Sequence, residues 1–80
     1  YSFIKNSINK YGIIFYDPPF ELDIGIVNEE ILIIENILNN NGLLIIHRHK
    51  SSEEINFSKN YELHREKNYG QSKILILRRI

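Results

Sequence analysis

The residues with the clearest capacity for chemistry form one tetrad, Asp17-Pro18-Pro19-Phe20. It directly follows residues 13–16, an apolar run of β-branched and aromatic residues that is typical of a strand covered on both faces in a parallel sheet. Because proline cannot donate a hydrogen bond to a sheet, the two prolines end that strand abruptly. The tetrad is therefore predicted at the carboxyl end of a parallel strand, where open α/β sheets bind their ligands.

A pair of hydrogen-bond acceptors at this position could bind an amino group and prepare it to react. The amino group of a nucleic-acid base is a poor nucleophile because its lone pair is delocalised into the ring. Two acceptors that take both amino hydrogens hold the nitrogen pyramidal, aim its lone pair at an electrophilic methyl group and offset the growing positive charge. The predicted acceptors are the Asp17 carboxylate, as an orienting group, and the Pro18 carbonyl, in a loop that both prolines stiffen.

Phe20 is the predicted stacking partner for a base swung out of its helix, a contact worth about 1–3 kcal/mol. The predicted catalytic set is thus Asp17, Pro18, Pro19 and Phe20. A purely structural alternative stays open, in which the tetrad is a rigid turn that ends a strand and packs its aromatic ring.

Basic residues follow a second apolar run, residues 43–46. His47 and His49 could form a metal-binding pair only with ligands from elsewhere, and two ligands rarely make a site, so we expect no metal. Arg48 and Lys50 are candidate substrate-binding residues that contact RNA phosphates near the rim of the site. The alternative is a solvated strand end, because exposed basic residues usually have no partner.

The elements that must position these residues form a βαβ unit in the sequence pattern. Asn28 is a suitable N-cap, and Glu29 and Glu30 suit the positive end of a helix dipole. An apolar stripe at helical spacing predicts a helix with one buried face; it consists of Val27, Ile31, Ile33, Ile34, Ile37 and Leu38. Residues 39–42, Asn-Asn-Asn-Gly, favour the left-handed conformations that end a helix. The two strands should then be parallel, with a right-handed crossover.

The flanking segments predict a helix tail and a hairpin. Apolar residues at helical spacing in residues 3–11 predict a helix that ends at Gly12, and the capping-box spacing of Ser51 and Glu54 predicts a short helical turn. Residues 61–67 alternate and are charged, as an exposed edge strand should be. Residues 74–77 are apolar enough for an interior strand, and residues 68–71 are the hairpin loop, in which Gly70 takes a positive φ. Tyr69, within that loop, either contacts RNA or packs under the hairpin.

Composition narrows the possible partners. Lys and Arg together number 10, as do Asp and Glu, so the formal net charge is zero. That balance argues against a protein that binds polyanions through bulk charge, and any nucleic-acid contact must be local. The absence of cysteine excludes disulfides and thiolate metal sites and fits a cytoplasmic protein, and the short apolar runs predict no membrane span.

The tetrad after its apolar strand resembles motif IV of the amino-group methyltransferases that use S-adenosylmethionine. The stretch from Tyr11 to Phe20, the strand at residues 42–46 and the segment Arg65-Glu66-Lys67-Asn68-Tyr69-Gly70, followed by an apolar strand and Arg78, resemble the RsmD family of bacterial small-subunit rRNA guanine-N2 methyltransferases. The resemblance implies an α/β fold, the C-terminal half of a Rossmann-like methyltransferase sheet, with the last strand antiparallel between its neighbours. It also implies that Asp17 faces the cofactor and that ribosomal RNA or a small-subunit assembly intermediate is the partner.

One departure from the superfamily limits what this chain is expected to do. The superfamily binds its cofactor with an acidic, glycine-rich loop, but the glycines here stand singly at positions 12, 25, 42 and 70. We therefore expect residues 1–80 to be a partial methyltransferase domain of a longer protein, inactive alone, whose cofactor-binding half lies upstream. Two readings stay open beside the rRNA enzyme: an enzyme that methylates adenine in DNA or a protein glutamine, and a non-catalytic truncated remnant.

Overall fold

The computed structural model describes residues 11–80 of the chain. The elements in chain order are strand β1 (Tyr11–Tyr16), helix α1 (Ile24–Glu35) and strands β2 (Leu38–His49), β3 (Tyr61–Tyr69) and β4 (Ser72–Arg79). These strands form one sheet in the order β1-β2-β4-β3. β1 and β2 are parallel, whereas β4 is antiparallel to both β2 and β3. The predicted parallel βαβ unit followed by an antiparallel hairpin is confirmed, with the last strand between its neighbours.

Helix α1 covers one face of the sheet and forms the core with it. Val27, Ile31 and Ile34 of the predicted apolar stripe are fully buried. Burying each of these side chains stabilises the fold by roughly 1.5–3 kcal/mol. The phenol of Tyr61 packs into the same core and donates a hydrogen bond to the Ile31 carbonyl over 3.0 Å. Burial raises the pKa of Tyr61, because the interior disfavours the phenolate.

The predicted start of the helix is wrong by five residues. Asp23 is the N-cap, and its carboxylate accepts a hydrogen bond from the Gly25 N–H over 2.9 Å. Asn28 lies inside the helix, where its side chain instead accepts from the Asn56 N–H. Glu30 does not face solvent at the helix dipole, because it is buried and accepts a hydrogen bond from the Tyr16 hydroxyl.

The predicted end of the helix is also wrong. α1 stops at Glu35, and residues 39–42 belong to β2 rather than closing the helix. Asn41 does take the left-handed conformation, with φ 65°. The side chains of Asn40 and Asn41 accept hydrogen bonds from Arg79 and Arg78 of β4. Contacts across the sheet therefore outweigh the local preference of these asparagines for a helix end.

Two further local predictions are corrected. Tyr11 and Gly12 begin β1, so no helix ends there; the rest of that predicted helix, residues 3–10, lies outside the described residues. No helical turn follows Ser51, because residues 53–58 form no regular element. That segment is held along α1 by hydrogen bonds from Asn56 to Asn28 and from Ser58 to Glu35.

The predicted hairpin of β3 and β4 is confirmed, but its loop is shorter than residues 68–71, because Asn68 and Tyr69 belong to β3 and only Gly70 and Gln71 lie between the strands. β3 is an edge strand whose residues are mostly exposed, and Gly70 in the loop has φ 51°. No helix in residues 11–80 is long and apolar enough to cross a membrane.

Candidate active site

The carboxyl ends of β1 and β2 bring Asp17 and His47 together. Tyr16 pairs with Ile46 in the parallel register, so the next residue of each strand reaches the same edge of the sheet. Asp17 Oδ1 lies 3.1 Å from His47 Nδ1. The Asp17 side chain is 71% exposed, so His47 orients the carboxylate while leaving it open to a ligand.

His47 has a second partner on the hairpin. Its Nε2 lies 3.0 Å from Ser72 Oγ, at the start of β4. A neutral imidazole donates from one nitrogen and accepts at the other. If Nδ1 donates to the Asp17 carboxylate, Nε2 accepts from the Ser72 hydroxyl. Three strands therefore contribute to the orientation of one carboxylate.

Phe20 lies beside the same strand ends. Its ring contacts the His49 ring edge to face, with the ring centres 4.7 Å apart. His49 is held in turn, because its Nδ1 accepts a hydrogen bond from the Ser51 N–H over 3.0 Å. Phe20 is still 53% exposed, so much of its surface is free to contact a ligand.

These residues line an open cleft of about 230 Å³, which we call the Asp17 cleft. Its walls come from three places in the chain: Asp17 and Pro18 after β1, His47 and His49 at the end of β2, and Gln71 and Ser72 from the hairpin. The backbone N–H of Lys50 donates to the Gln71 carbonyl over 2.7 Å and so ties the turn after β2 to the hairpin. The sequence did not indicate Gln71 or Ser72 as site residues.

Arg48 is not at an exposed rim, as the sequence suggested, because it is only 4% exposed. Its Nη2 donates a long hydrogen bond of 3.4 Å to the Glu53 carbonyl. Burial lowers the pKa of Arg48 from its ordinary value, while the nearby Tyr16 and Glu53 oppose that effect. Lys50 and Tyr69 are exposed; Lys50 is beside the Asp17 cleft through its bond to Gln71.

The histidine pair does not form a metal cluster in the described part of the chain. Residues 11–80 contain no group of three or more histidine, cysteine or acidic side chains that could hold a metal ion. His47 contacts Asp17 and Ser72, whereas His49 contacts Ser51 and Phe20. The two imidazoles therefore contact different residues.

The sheet order and the Asp-Pro-Pro-Phe turn at the end of a parallel strand define the class: a part of a Rossmann-like methyltransferase sheet. The chain belongs to the family described as conserved hypothetical protein 95, whose model matches residues 2–78. The resemblance to RsmD-like methyltransferases is thereby confirmed. A curated relative, an uncharacterized methylase of Rickettsia prowazekii, is 39% identical over 74 residues, which are 91% of this chain and 31% of the relative.

Solved structures share the fold. A methyltransferase candidate of Escherichia coli has 29% identity and a TM-score of 0.69, over 89% of this chain and 38% of that one. A methylase candidate of Haemophilus influenzae has 22% identity and a TM-score of 0.72, over 95% and 48% of the two chains. A conserved hypothetical protein of Streptococcus pyogenes has 21% identity and a TM-score of 0.73, over 90% and 45%. The chain therefore spans between a third and a half of the length of these proteins.

The Asp17 cleft has room for only part of the cofactor that the family implies. The Asp17 cleft, at about 230 Å³, is smaller than the roughly 300–1,000 Å³ that small-molecule sites occupy. The four glycines do not form a glycine-rich loop: a Cβ added at Gly25 or Gly42 would meet Asp23 or Asn39, and Gly12 and Gly70 lie in a strand and a hairpin turn. Asp17 is the residue here that would face the methyl group of S-adenosylmethionine.

Proposed function

We propose that this chain is part of an S-adenosylmethionine-dependent methyltransferase that modifies the exocyclic N2 amine of a guanine in small-subunit ribosomal RNA. Its partner would be that RNA or an assembly intermediate of the subunit, in the cytoplasm. The observation that carries the proposal is the oriented and exposed carboxylate of Asp17 at the carboxyl end of β1, beside Pro18 and Phe20. Family membership supports the reaction type.

The role of Asp17 follows from its contacts. Oδ1 is bound to His47, so Oδ2 is free to accept one hydrogen of the amine. The Pro18 carbonyl is the second acceptor in this proposal. Together they orient the nitrogen lone pair and stabilise the positive charge that develops as the N–C bond forms. S-adenosylmethionine, when bound, supplies the electrophilic methyl group.

The substrate base needs a surface that holds it outside the RNA helix. Phe20 offers an exposed aromatic ring that lines the Asp17 cleft. Stacking on such a ring offsets part of the cost of unstacking the base. Lys50 and Tyr69 are the exposed residues that we assign to the neighbouring RNA backbone, since a chain with no net charge needs local contacts.

The test is transfer of a labelled methyl group to small-subunit rRNA by the full-length protein. We expect Asp17→Ala to lower kcat by about 100-fold to 1,000-fold, the effect of removing one preorganised charge-stabilising group, with the circular dichroism spectrum unchanged. Glu29→Gln is the matched control, because this exposed carboxylate lies on α1 outside the cleft. Equal loss in both variants, or no loss in Asp17→Ala, would contradict the assigned role.

The same assay separates the substrate classes. Naked rRNA, assembled small subunits, DNA and a glutamine-containing protein substrate are offered in parallel, and the methylated atom is identified by mass spectrometry. Guanine N2 in rRNA is the expected product. Transfer to adenine or glutamine would replace the proposed substrate, and no transfer to any of them by a well-folded protein would favour a non-catalytic remnant.

A further inference from the structure

Two buried hydrogen-bond donors at the Asp17 cleft have no acceptor within residues 11–80. They are Nε of Arg48 and Oγ of Ser52, and both atoms are shielded from water. Arg48 and Ser52 line the Asp17 cleft and also an adjoining cleft of about 290 Å³ beside the turn before α1. Both donors therefore belong to residues that the two clefts share.

Burying a charged side chain without hydrogen-bond acceptors lowers the stability of the fold. A guanidinium stays protonated, and a buried donor without an acceptor loses the hydrogen bonds that it made to water. The hydrogen bond that Arg48 Nη2 donates to the Glu53 carbonyl is long, at 3.4 Å. Unsatisfied buried groups are rare in folded proteins, and each one needs a physical explanation. An acceptor from a bound molecule would satisfy both donors.

The charged residues around Arg48 indicate whether the acceptor on the bound molecule is charged or neutral. Glu21, Asp23 and Glu53 line the adjoining cleft together with Arg48. Three carboxylates repel a phosphate group, so the expected acceptor is a neutral carbonyl oxygen. Among the bases, guanine presents O6, and the commonest specific contact of arginine with a base is to O6 and N7 of guanine.

We propose that Arg48 and Ser52 recognise O6 of the guanine whose N2 amine is bound by Asp17. This inference rests on the proposed function and adds the basis of its base selectivity. N2 and O6 lie on the same edge of guanine, on either side of N1. The Asp17 cleft has acceptors, Asp17 and Pro18, together with donors, Arg48 and Ser52. An adenine with its N6 amine at Asp17 would present only a C–H group on the other side and leave the arginine unpaired.

The test uses RNA in which the methylated guanine is replaced by 2-aminopurine. This base keeps the 2-amino group but has no O6. The full-length wild-type protein should methylate guanine about 10-fold to 100-fold faster in kcat/KM than 2-aminopurine, as expected for a pair of hydrogen bonds to one base. Arg48→Gln and Ser52→Ala should lower the rate on guanine and bring this ratio towards one, with little effect on 2-aminopurine.

Controls separate this reading from a general loss of structure. Lys59→Gln removes one exposed positive charge outside both clefts and should leave the ratio at its wild-type value. If circular dichroism shows that Arg48→Gln does not fold, Ser52→Ala alone tests the inference, and the expected change in the ratio is smaller. An unchanged ratio in the folded variants overturns the inference while the proposed function stands; a wild-type protein that methylates no guanine overturns the proposed function itself.

Discussion

The imidazole of His47 connects the proposed catalytic carboxylate to the hairpin through its two nitrogens. Nδ1 lies 3.1 Å from Asp17 and Nε2 lies 3.0 Å from Ser72. A carboxylate that is 71% exposed has many orientations open to it, and one fixed hydrogen bond reduces them before a substrate arrives. We therefore interpret His47 as a positioning residue for Asp17.

Two substitutions at position 47 separate the two contacts. In His47→Asn the amide nitrogen occupies a place close to that of Nδ1 and can still donate to Asp17. In His47→Gln the amide lies close to the place of Nε2 and keeps only the contact with Ser72. We expect His47→Asn to retain most of the wild-type kcat and His47→Gln to lower kcat about 10-fold, with KM nearly unchanged because orientation is lost rather than binding.

Steady-state methyl transfer by the full-length protein measures this difference, and thermal unfolding of each variant checks that the fold is intact. Equal kcat values for the two variants would show that the hydrogen bond between His47 and Asp17 does not determine kcat.

The sequence predicted part of this site and missed the rest for a physical reason. Asp17 and Phe20 stand in a local motif, so their place at a strand end could be predicted from neighbouring residues. The pairing of Asp17 with His47 depends on the register of β1 and β2, which a single strand does not determine. The one available signal was that each residue directly follows a four-residue apolar run. Arg48 was expected at the surface because charged side chains usually are, and only the packing of the turn over it reveals its burial.

The elements were predicted more reliably than their ends. The apolar runs of β1, β2 and β4 have the length and composition of strands. The parallel pairing of β1 with β2 follows from the general rules of α/β folds, whereas the place of β4 between β2 and β3 was implied by the family resemblance. The ends of α1 were misassigned because Asn28 and residues 39–42 have strong local preferences. Asp23 caps the helix instead, so that α1 includes the fully buried Val27. Tertiary packing decided between several suitable caps.

The hairpin between β3 and β4 depends on the positive φ of Gly70. Its φ is 51°, and a Cβ added there would meet no atom within 4 Å. Gly70→Ala should therefore lower the free energy of unfolding by about 1 kcal/mol through backbone strain alone. Gly12→Ala is a matched control, because Gly12 also has free space around its Cα but no positive φ. Chemical denaturation of both variants measures the difference, and a similar loss in each would contradict the strain argument.

At the scale of the whole molecule, the two faces of the sheet differ in how they are covered. α1 buries one face, on which Tyr16, Leu44 and Ile46 are at most 1% exposed. The other face carries Ile13 and Phe15 on β1, which are 55% and 71% exposed. Parallel strands are normally buried on both faces. The relatives of this chain are two to three times as long as the segment it matches, so we expect other parts of the full-length protein to cover this face.

Phe15 tests that expectation directly. If the face is covered in the full-length protein, Phe15→Ala should lower the free energy of unfolding by about 3 kcal/mol, because a buried aromatic side chain is removed and a cavity remains. Leu32 on α1 is 49% exposed, and Leu32→Ala should change stability by less than about 0.5 kcal/mol, as surface substitutions do. Denaturant unfolding of the full-length protein compares the two. A small effect of Phe15→Ala would place this ring on the surface of the whole molecule, so the sheet would keep an open apolar face beside the active-site edge.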